Sequence, residues 1–332
     1  MQDSERAAAR QKFLEDAGGA GAQVLPLTPD ASFRHYFRVS GAGTILVDAP
    51  PPRENLRAFV EVARHLAALG LHPPRVHACD LQSGFALLDD FGDDTFTRLL
   101  AAGADERTLY RLAVDVLCAL QTHRDALDID LPLYDDTMLV DEVLLLVDWY
   151  YPAVRGQAVP GEVREEFVAL WHDILAALPP IAPTLVLRDF HVDNLMRVAA
   201  VDGSVQCGLL DFQDAVIGSP AYDLMSLLED ARRDVPRALV EEIVRRYHRA
   251  VRTTDTQAFD LHFHVLAAQR HCKVMGIFSR LCRRDGKSTY LDHIPRVVVL
   301  LEQNLTQPSL RPLRLWLDIH LPMRHEIQVT PG

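Results

Sequence analysis

The alternation of hydrophobic and polar positions predicts a first part of the chain that is rich in strands. Short apolar runs across residues 23–50 flank the turn Gly41-Ala42-Gly43, which predicts a β-hairpin. Apolar residues then recur at spacings of three and four over residues 54–69, which predicts an amphipathic helix. Two further strand-like segments follow at residues 75–79 and 85–88.

After an acidic turn at residues 89–94, helical periodicity predominates. One β-rich island interrupts the helices and contains the turn Asp202-Gly203, which predicts a second hairpin. We therefore expect an α+β fold with two lobes, a small β-rich N-terminal lobe and a large, mostly helical C-terminal lobe. The predicted nucleotide-binding lobe spans residues 1–88, and the predicted catalytic and substrate-binding lobe spans residues 89–332.

Composition narrows the class of partner. The 332 residues include 34 lysines and arginines against 46 acidic residues, a formal charge of −12 that argues against a nucleic-acid binder or a polybasic membrane adaptor. Five scattered cysteines suggest neither a disulfide framework nor a zinc knuckle. The N-terminus has no apolar core of a signal peptide, and no apolar run is long enough to span a membrane. We expect a cytoplasmic monomer that acts on a small molecule.

The densest polar cluster lies in the β-rich island, where residues 188–194 read RDFHVDN and residues 211–214 read DFQD. The predicted hairpin folds the second strand along the first, so Asp189, Asn194 and Asp211 can converge. Carboxylate and carboxamide oxygens form a site that Mg²⁺ accepts, with coordination positions left for phosphate and water. A carboxylate beside the metal can orient a substrate hydroxyl and accept its proton, so the cluster predicts phosphoryl transfer.

An Asp followed five residues later by Asn, then a hairpin and a second Asp, resembles the protein-kinase-like small-molecule kinases. That family includes aminoglycoside phosphotransferases and choline kinases. The blocks DASFRHYFRV, LVDAPP, GFALLDDFGD, LLDFQDAVIGSPAYDLMSLLEDARRDV and KVMGIFSRLCRRDGKSTYLDHIPRV narrow the resemblance to the anomeric N-acetylmuramate/N-acetylglucosamine kinases of bacterial cell-wall recycling. The resemblance implies a bilobal protein-kinase-like fold and ATP-dependent phosphorylation of a C1 hydroxyl.

The resemblance also implies roles for individual residues. Asp189 is the expected catalytic Asp and His191 stiffens its loop, while Asn194 and Asp211 are the expected Mg²⁺ ligands. Asp223 matches a carboxylate that braces the catalytic loop in the family. The expected nucleotide contacts, in the phosphate-covering turn and at the hinge that meets adenine, are Ser32, Phe33, Arg34, Leu88 and Asp90.

The third strand departs from the family pattern. Kinases of this fold place a Lys there to hold the α- and β-phosphates, paired with a Glu of the next helix. Here the strand ends in Asp48, and no Lys occurs between Lys12 and Lys273. An arginine can bind phosphate oxygens in a bidentate manner, so the expected substitutes are Arg34, Arg38 and Arg53.

A basic cluster near residue 270 has two interpretations. It is a solvated helix face, or Arg270, His271 and Lys273 bind an anionic or N-acetylated sugar. His262 and His264 do not suggest a metal pair, because residues two apart on a helix point in different directions.

Three rival functions can be compared with the sequence. A kinase of this type could act on an aminoglycoside, choline or another sugar. The missing strand Lys would also fit a nucleotide-binding pseudokinase that serves as a scaffold. A metal-dependent hydrolase based on His191 and Asp193 lacks the further closely spaced ligands that such a site needs.

Overall fold

The computed structural model describes residues 3–27, 33–199 and 203–324, and it divides the chain into two units. Unit 1 consists of Met1–Asp130 and Leu187–Ala215, and unit 2 consists of Leu131–Val186 and Val216–Gly332. The β-rich island is therefore shared between the units. The functional division into lobes at residue 88 stays a prediction.

Unit 1 is built on an antiparallel sheet with the strand order β1-β2-β3-β5-β4. Five residue pairs join β2 to β3 across the turn at Gly41, which confirms the predicted hairpin. The strands are β1 (Val24–Pro26), β2 (His35–Val39), β3 (Thr44–Asp48), β4 (Val76–Asp80) and β5 (Phe85–Asp89).

Helices cover this sheet because their apolar residues share one side. Helix α1 (Asp3–Asp16) inserts Leu14 into a cluster of sheet side chains. Helix α2 (Leu56–Ala68) begins at Asn55, whose side chain accepts a hydrogen bond from Ala58 N at 3.2 Å, so the predicted helix is confirmed. The remaining helices of unit 1 are α3 (Phe96–Ala101) and α4 (Glu106–Thr122).

The second strand pair of unit 1 follows the polar cluster. Strands β7 (Leu195–Ala199) and β8 (Val205–Leu209) pair antiparallel, as predicted, while Asp202 of the predicted turn lies outside the described residues. Backbone bridges join this pair to two other parts of unit 1, at Thr95 with Met196 and at His72 with Gly208. The hairpin is thus fixed against the same unit that carries the sheet.

Unit 2 is mostly helical, with one short strand pair, β6 (Thr184–Val186) with β9 (Val216–Gly218). Its longest helix contacts a π-helical turn at residues 146–150 so closely that a Cβ on Gly276 would lie 2.2 Å from the carbonyl carbon of Leu145. No helix in the described ranges is long and apolar enough to cross a bilayer. The helices of unit 2 are α5 (Asp136–Val143), α6 (Tyr151–Arg155), α7 (Gly161–Ala176), α8 (Ala221–Leu228), α9 (Arg237–Val251), α10 (Thr256–Asp285), α11 (Ile294–Asn304) and α12 (Arg311–His320).

Candidate active site

Two loops of unit 1 carry the polar cluster, one before β7 and one after β8. Each contains a residue with a positive φ angle, Arg188 at +69° and Asp211 at +58°. Such a backbone is uncommon for residues other than glycine and costs free energy, so surrounding contacts must hold it. One of these is Phe212, which is fully buried and stacks on Phe59 of α2 at 5.0 Å between ring centroids.

Asn194 lies at the centre of the cluster. Its amide Nδ2 donates to the backbone oxygen of Asp189 at 2.9 Å and lies 3.5 Å from Asp211 Oδ2 and 3.4 Å from His191 Nε2. The backbone of Asn194 also accepts a hydrogen bond from Leu210 N at 2.9 Å, which ties the two loops together. The structure therefore brings these four predicted site residues together, and their chemical roles stay predictions.

The donor set of the cluster fits a divalent cation. Asp211 offers a carboxylate and Asn194 a carboxamide, both half-buried, and hard oxygen ligands of this kind suit Mg²⁺. Across the described residues there is no group of three or more His, Cys, Asp or Glu side chains that could hold a metal ion. A cation here would thus rely on few protein ligands, as Mg²⁺ usually does when it also binds phosphate and water.

Gln213 is a member of the polar cluster to which the sequence interpretation assigned no role. Its Nε2 donates to Asp211 Oδ1 at 2.9 Å and to Asp214 Oδ2 at 3.3 Å. The signal in the sequence is an amide that lies two residues after one Asp and directly before another in DFQD, since an amide nitrogen can bridge carboxylates that would otherwise repel each other.

The expected nucleotide contacts occupy different settings. Ser32 lies outside the described residues, while Phe33 is 57% exposed. Arg34 pairs with Glu54 at 2.7 Å, and this carboxylate also accepts from Phe33 N at 2.9 Å. The turn before β2 is therefore anchored to the start of α2.

At the other end of the sheet, one of the two expected hinge residues forms a salt bridge. Leu88 is buried in β5, and the Asp90 carboxylate lies 2.5 Å from Arg38 Nε. Arg38 also reaches Asp93 at 3.2 Å, and its hydrogen bond holds the pKa of Asp93 below its usual range. Arg38 is thus already paired with two carboxylates.

The end of β3 shows what replaced the expected Lys. Asp48 is 2% exposed and is paired with two arginines of α1, Arg6 at 2.6 Å and Arg10 at 3.2 Å. The guanidinium groups also lie over the rings of Phe85 and Phe37 at 4.1 and 4.0 Å. Asp48 therefore fastens the first helix to the sheet.

The three basic residues near position 270 belong to unit 2, where they lie on α10 and are all buried. Arg270 Nη1 donates to the hydroxyl of Tyr222 at 3.1 Å, and His271 Nε2 lies 2.7 Å from Glu229. These contacts, like those of the third residue, Lys273, hold helices together, and a role in sugar binding stays a prediction.

The third basic residue of this group, Lys273, has its ammonium 2.7 Å from Glu142 of α5. Glu142 also accepts hydrogen bonds from Tyr134 and Gln269, so its carboxylate is well satisfied. Asp223, the expected brace, is 1% exposed within α8. Its proposed function as a brace stays a prediction.

Comparison with known proteins gives one family and several relatives. Residues 23–261 match the model of the phosphotransferase enzyme family. The chain is 35% identical to the N-acetylmuramate/N-acetylglucosamine kinase of Caulobacter vibrioides, over 96% of this chain and 98% of the relative. It is 38% identical to the kinase of the same name from Pseudomonas aeruginosa, over 85% and 83% of the two chains.

Among solved structures, a choline/ethanolamine kinase family protein from Mesorhizobium loti superposes with a TM-score of 0.64. The match covers 96% of this chain and 98% of that protein at 14% identity, so it concerns the fold alone. The prediction of a protein-kinase-like fold is confirmed, with a five-stranded sheet in one unit and mostly helices in the other.

Proposed function

Because the chain belongs to the phosphotransferase enzyme family, we propose that it is an ATP- and Mg²⁺-dependent amino-sugar kinase. Its substrates are N-acetylmuramate and N-acetylglucosamine, and it transfers the γ-phosphoryl group of ATP to their anomeric C1 hydroxyl. The observation that carries the proposal is the identity of 35% and 38% to two relatives that bear this substrate pair in their name, over most of each chain.

In this proposal Asp189 orients the C1 hydroxyl and accepts its proton as the oxygen attacks the γ-phosphorus and the bond from that phosphorus to ADP breaks. Asn194 and Asp211 would hold Mg²⁺, which would neutralise negative charge on the phosphates. His191, which is buried and adjacent to Asn194 Nδ2, keeps the loop in place. Leu88 and Asp90 form the hinge at the adenine, and the enzyme works as a cytoplasmic monomer.

Two features of the cluster support this assignment of roles. Asn194 Nδ2 connects the backbone of Asp189 with the carboxylate of Asp211, so the base and the metal ligands are held by one side chain. The positive φ angle of Asp211 is retained although it is strained, and such strain concentrates at functional sites.

The experiment that tests the roles compares Asp189→Asn with the wild-type protein. We expect the variant to lose phosphorylation of both amino sugars by at least about a hundredfold, while ATP still binds, because only the proton acceptor is removed. The control is Asp128→Asn at an exposed position of the same unit, which should match the wild type. Turnover by Asp189→Asn at the wild-type rate would contradict the proposal.

A further inference from the structure

Gln213 lies inside the cluster but is absent from the roles that the proposed function assigns. It follows the buried Phe212 and is itself 8% exposed. Its Nε2 donates to the carboxylates of both Asp211 and Asp214. Its position next to a metal ligand raises the question of what the side chain does there.

The orientation of the Gln213 amide follows from its neighbours. The hydrogen bonds of a side-chain amide decide which of its two ends carries the nitrogen. With Nε2 towards Asp211 Oδ1 and Asp214 Oδ2, both amide hydrogens meet carboxylate oxygens. A rotated amide would place its oxygen against two negative charges, so the nitrogen must face the carboxylates.

This orientation leaves Gln213 Oε1 as a buried acceptor. The oxygen is inaccessible to solvent and has no hydrogen-bond partner among the described residues. Buried polar atoms of native proteins are almost always satisfied, so an orphaned acceptor needs a partner. Oε1 is bonded to the same carbon as Nε2, the atom that donates to Asp211 Oδ1.

We propose that Gln213 is the positioning residue of the divalent-cation site. Its Nε2 holds Oδ1 of Asp211 and leaves Oδ2, the atom nearer Asn194, to the cation. Its Oε1 supplies a further oxygen to the cation's coordination sphere. This inference rests on the proposed function, because it assumes that Asp211 and Asn194 hold the metal.

The proposed role differs from a merely structural one in what it affects. A structural Gln213 would join Asp211 to Asp214 and contribute to folding alone. A positioning residue must also change the affinity for the cation, since partners that orient a ligand typically account for tenfold to a hundredfold in metal affinity.

The test measures Mn²⁺ binding by electron paramagnetic resonance, in the presence of a non-hydrolysable ATP analogue and without sugar. Gln213→Met keeps the length and flexibility of the side chain but removes both polar atoms. We expect it to lower Mn²⁺ affinity by about tenfold, with binding of the metal-free analogue unchanged. The matched control is Gln206→Met on β8, a half-exposed glutamine of the same unit, which should bind Mn²⁺ like the wild type.

A second variant covers the case in which Gln213→Met does not fold, as thermal unfolding would show. Gln213→Asn keeps the amide and shortens the side chain by one methylene, so the amide nitrogen can no longer meet both carboxylates. The amide nitrogen of this variant is Nδ2 of the asparagine, and its shorter reach should lower Mn²⁺ affinity too. Wild-type affinity in a folded variant overturns the role of Gln213. A wild-type protein that binds no Mn²⁺ with the analogue overturns the proposed function as well.

Discussion

Arg53 differs from the other two arginines expected to bind phosphate. Arg34 is paired with Glu54 and Arg38 with Asp90, whereas Arg53 is exposed, lies 5.1 Å from the ring centre of Phe33 and forms no ion pair within the described ranges. A guanidinium without a carboxylate partner keeps its N–H donors for phosphate oxygens. We therefore propose that Arg53 is the phosphate-binding cation.

For Arg53→Gln we expect the KM for ATP to rise by about tenfold, which corresponds to losing one charge-assisted hydrogen bond. The kcat at saturating ATP should change less, and steady-state kinetics at varied ATP measures both. Arg57→Gln, in the first turn of α2, is the matched control because Arg57 is exposed and pairs only weakly with Glu61. An unchanged KM for Arg53→Gln would return the role to Arg34 or Arg38.

Asp48 occupies the strand position where the family has a phosphate-binding Lys, and here it binds two arginines of α1. Its carboxylate is buried and depends on Arg6 and Arg10 for charge compensation. Removing one partner of a buried ion pair is strongly destabilising, so Asp48→Ala should lower the free energy of unfolding by about 3–5 kcal/mol. Urea denaturation measures this, with the exposed Asp128→Ala as the control. A loss below about 1 kcal/mol would mean that the pair behaves like a surface salt bridge.

His262 connects stability with pH. Its Nε2 lies 2.8 Å from the backbone oxygen of Pro179, and its buried Nδ1 has no hydrogen-bond partner among the described residues. Burial lowers the pKa of this imidazole, because a second proton would place an uncompensated charge inside the protein.

The unfolded chain thus binds a proton that the folded chain excludes, so stability should fall as pH drops below the ordinary value of about 6.5. The loss amounts to at most about 1.4 kcal/mol per pH unit and ends below the pKa of the folded protein. His262→Gln, measured by urea denaturation between about pH 7 and pH 5, should lose this part of the dependence. The exposed His35→Gln variant should retain it.

At the scale of elements, the acidic turn after β5 and helix α3 both contact the loop and strand that carry the expected metal ligand Asn194. The hydroxyl of Thr97 donates to Asp193, Arg197 of β7 lies 2.6 Å from Asp94, and the backbone N of Arg197 donates to the oxygen of Asp94 at 2.9 Å. Asp193 directly precedes Asn194. Helix α3 therefore holds the loop that carries the expected metal ligand.

We expect Thr97→Val, which keeps the shape but removes the donor, to lower kcat by roughly tenfold, since small displacements of reacting groups are costly. Stability should fall by only about 1 kcal/mol, the value of a single hydrogen bond. Thr122→Val is the control, because Thr122 donates within α4 to Cys118. A kcat equal to that of the wild type would show that the loop is held without α3.

The sequence predicted those elements whose signals are local. The hairpin is signalled by the turn at Gly41, and α2 by apolar residues spaced three and four apart, so each signal involves only neighbouring residues. Both elements form as predicted. The pairing of Lys273 with Glu142 could not be foreseen, because 131 residues separate the two partners. No role could be assigned to Gln213 from the sequence for a related reason, because the burial of its oxygen depends on the folded surroundings.

At the scale of the whole molecule, the chain returns to its first unit after leaving it. Leu187–Ala215, the segment with all the residues of the polar cluster, belongs to the same unit as the five-stranded sheet, although residues 131–186 intervene. The predicted hairpin alone was enough to expect that Asp189, Asn194 and Asp211 converge. That their segment belongs to unit 1 depends on contacts between distant parts of the chain, which the sequence pattern does not show. Composition offered no such signal.

The chain contains only three lysines, Lys12, Lys273 and Lys287. Of the three lysines, Lys273 is buried beside Glu142 in unit 2, and no Lys lies on the sheet of unit 1. The strand position that would carry one holds Asp48, which binds α1. The proposed function therefore requires an arginine at the phosphates. Because Asp189, Asn194 and Asp211 are all present, we expect a working enzyme and not a scaffold.

The position of the transferred phosphate shows whether the protein is a kinase of the C1 hydroxyl of amino sugars. Purified protein is incubated with ATP, Mg²⁺ and N-acetylglucosamine or N-acetylmuramate labelled with ¹³C at C1, and the product is examined by NMR. The proposed function predicts ATP-dependent turnover of both sugars and a phosphorus–carbon coupling at C1. Phosphate on another hydroxyl, or turnover of choline or an aminoglycoside while both amino sugars remain unchanged, would contradict it.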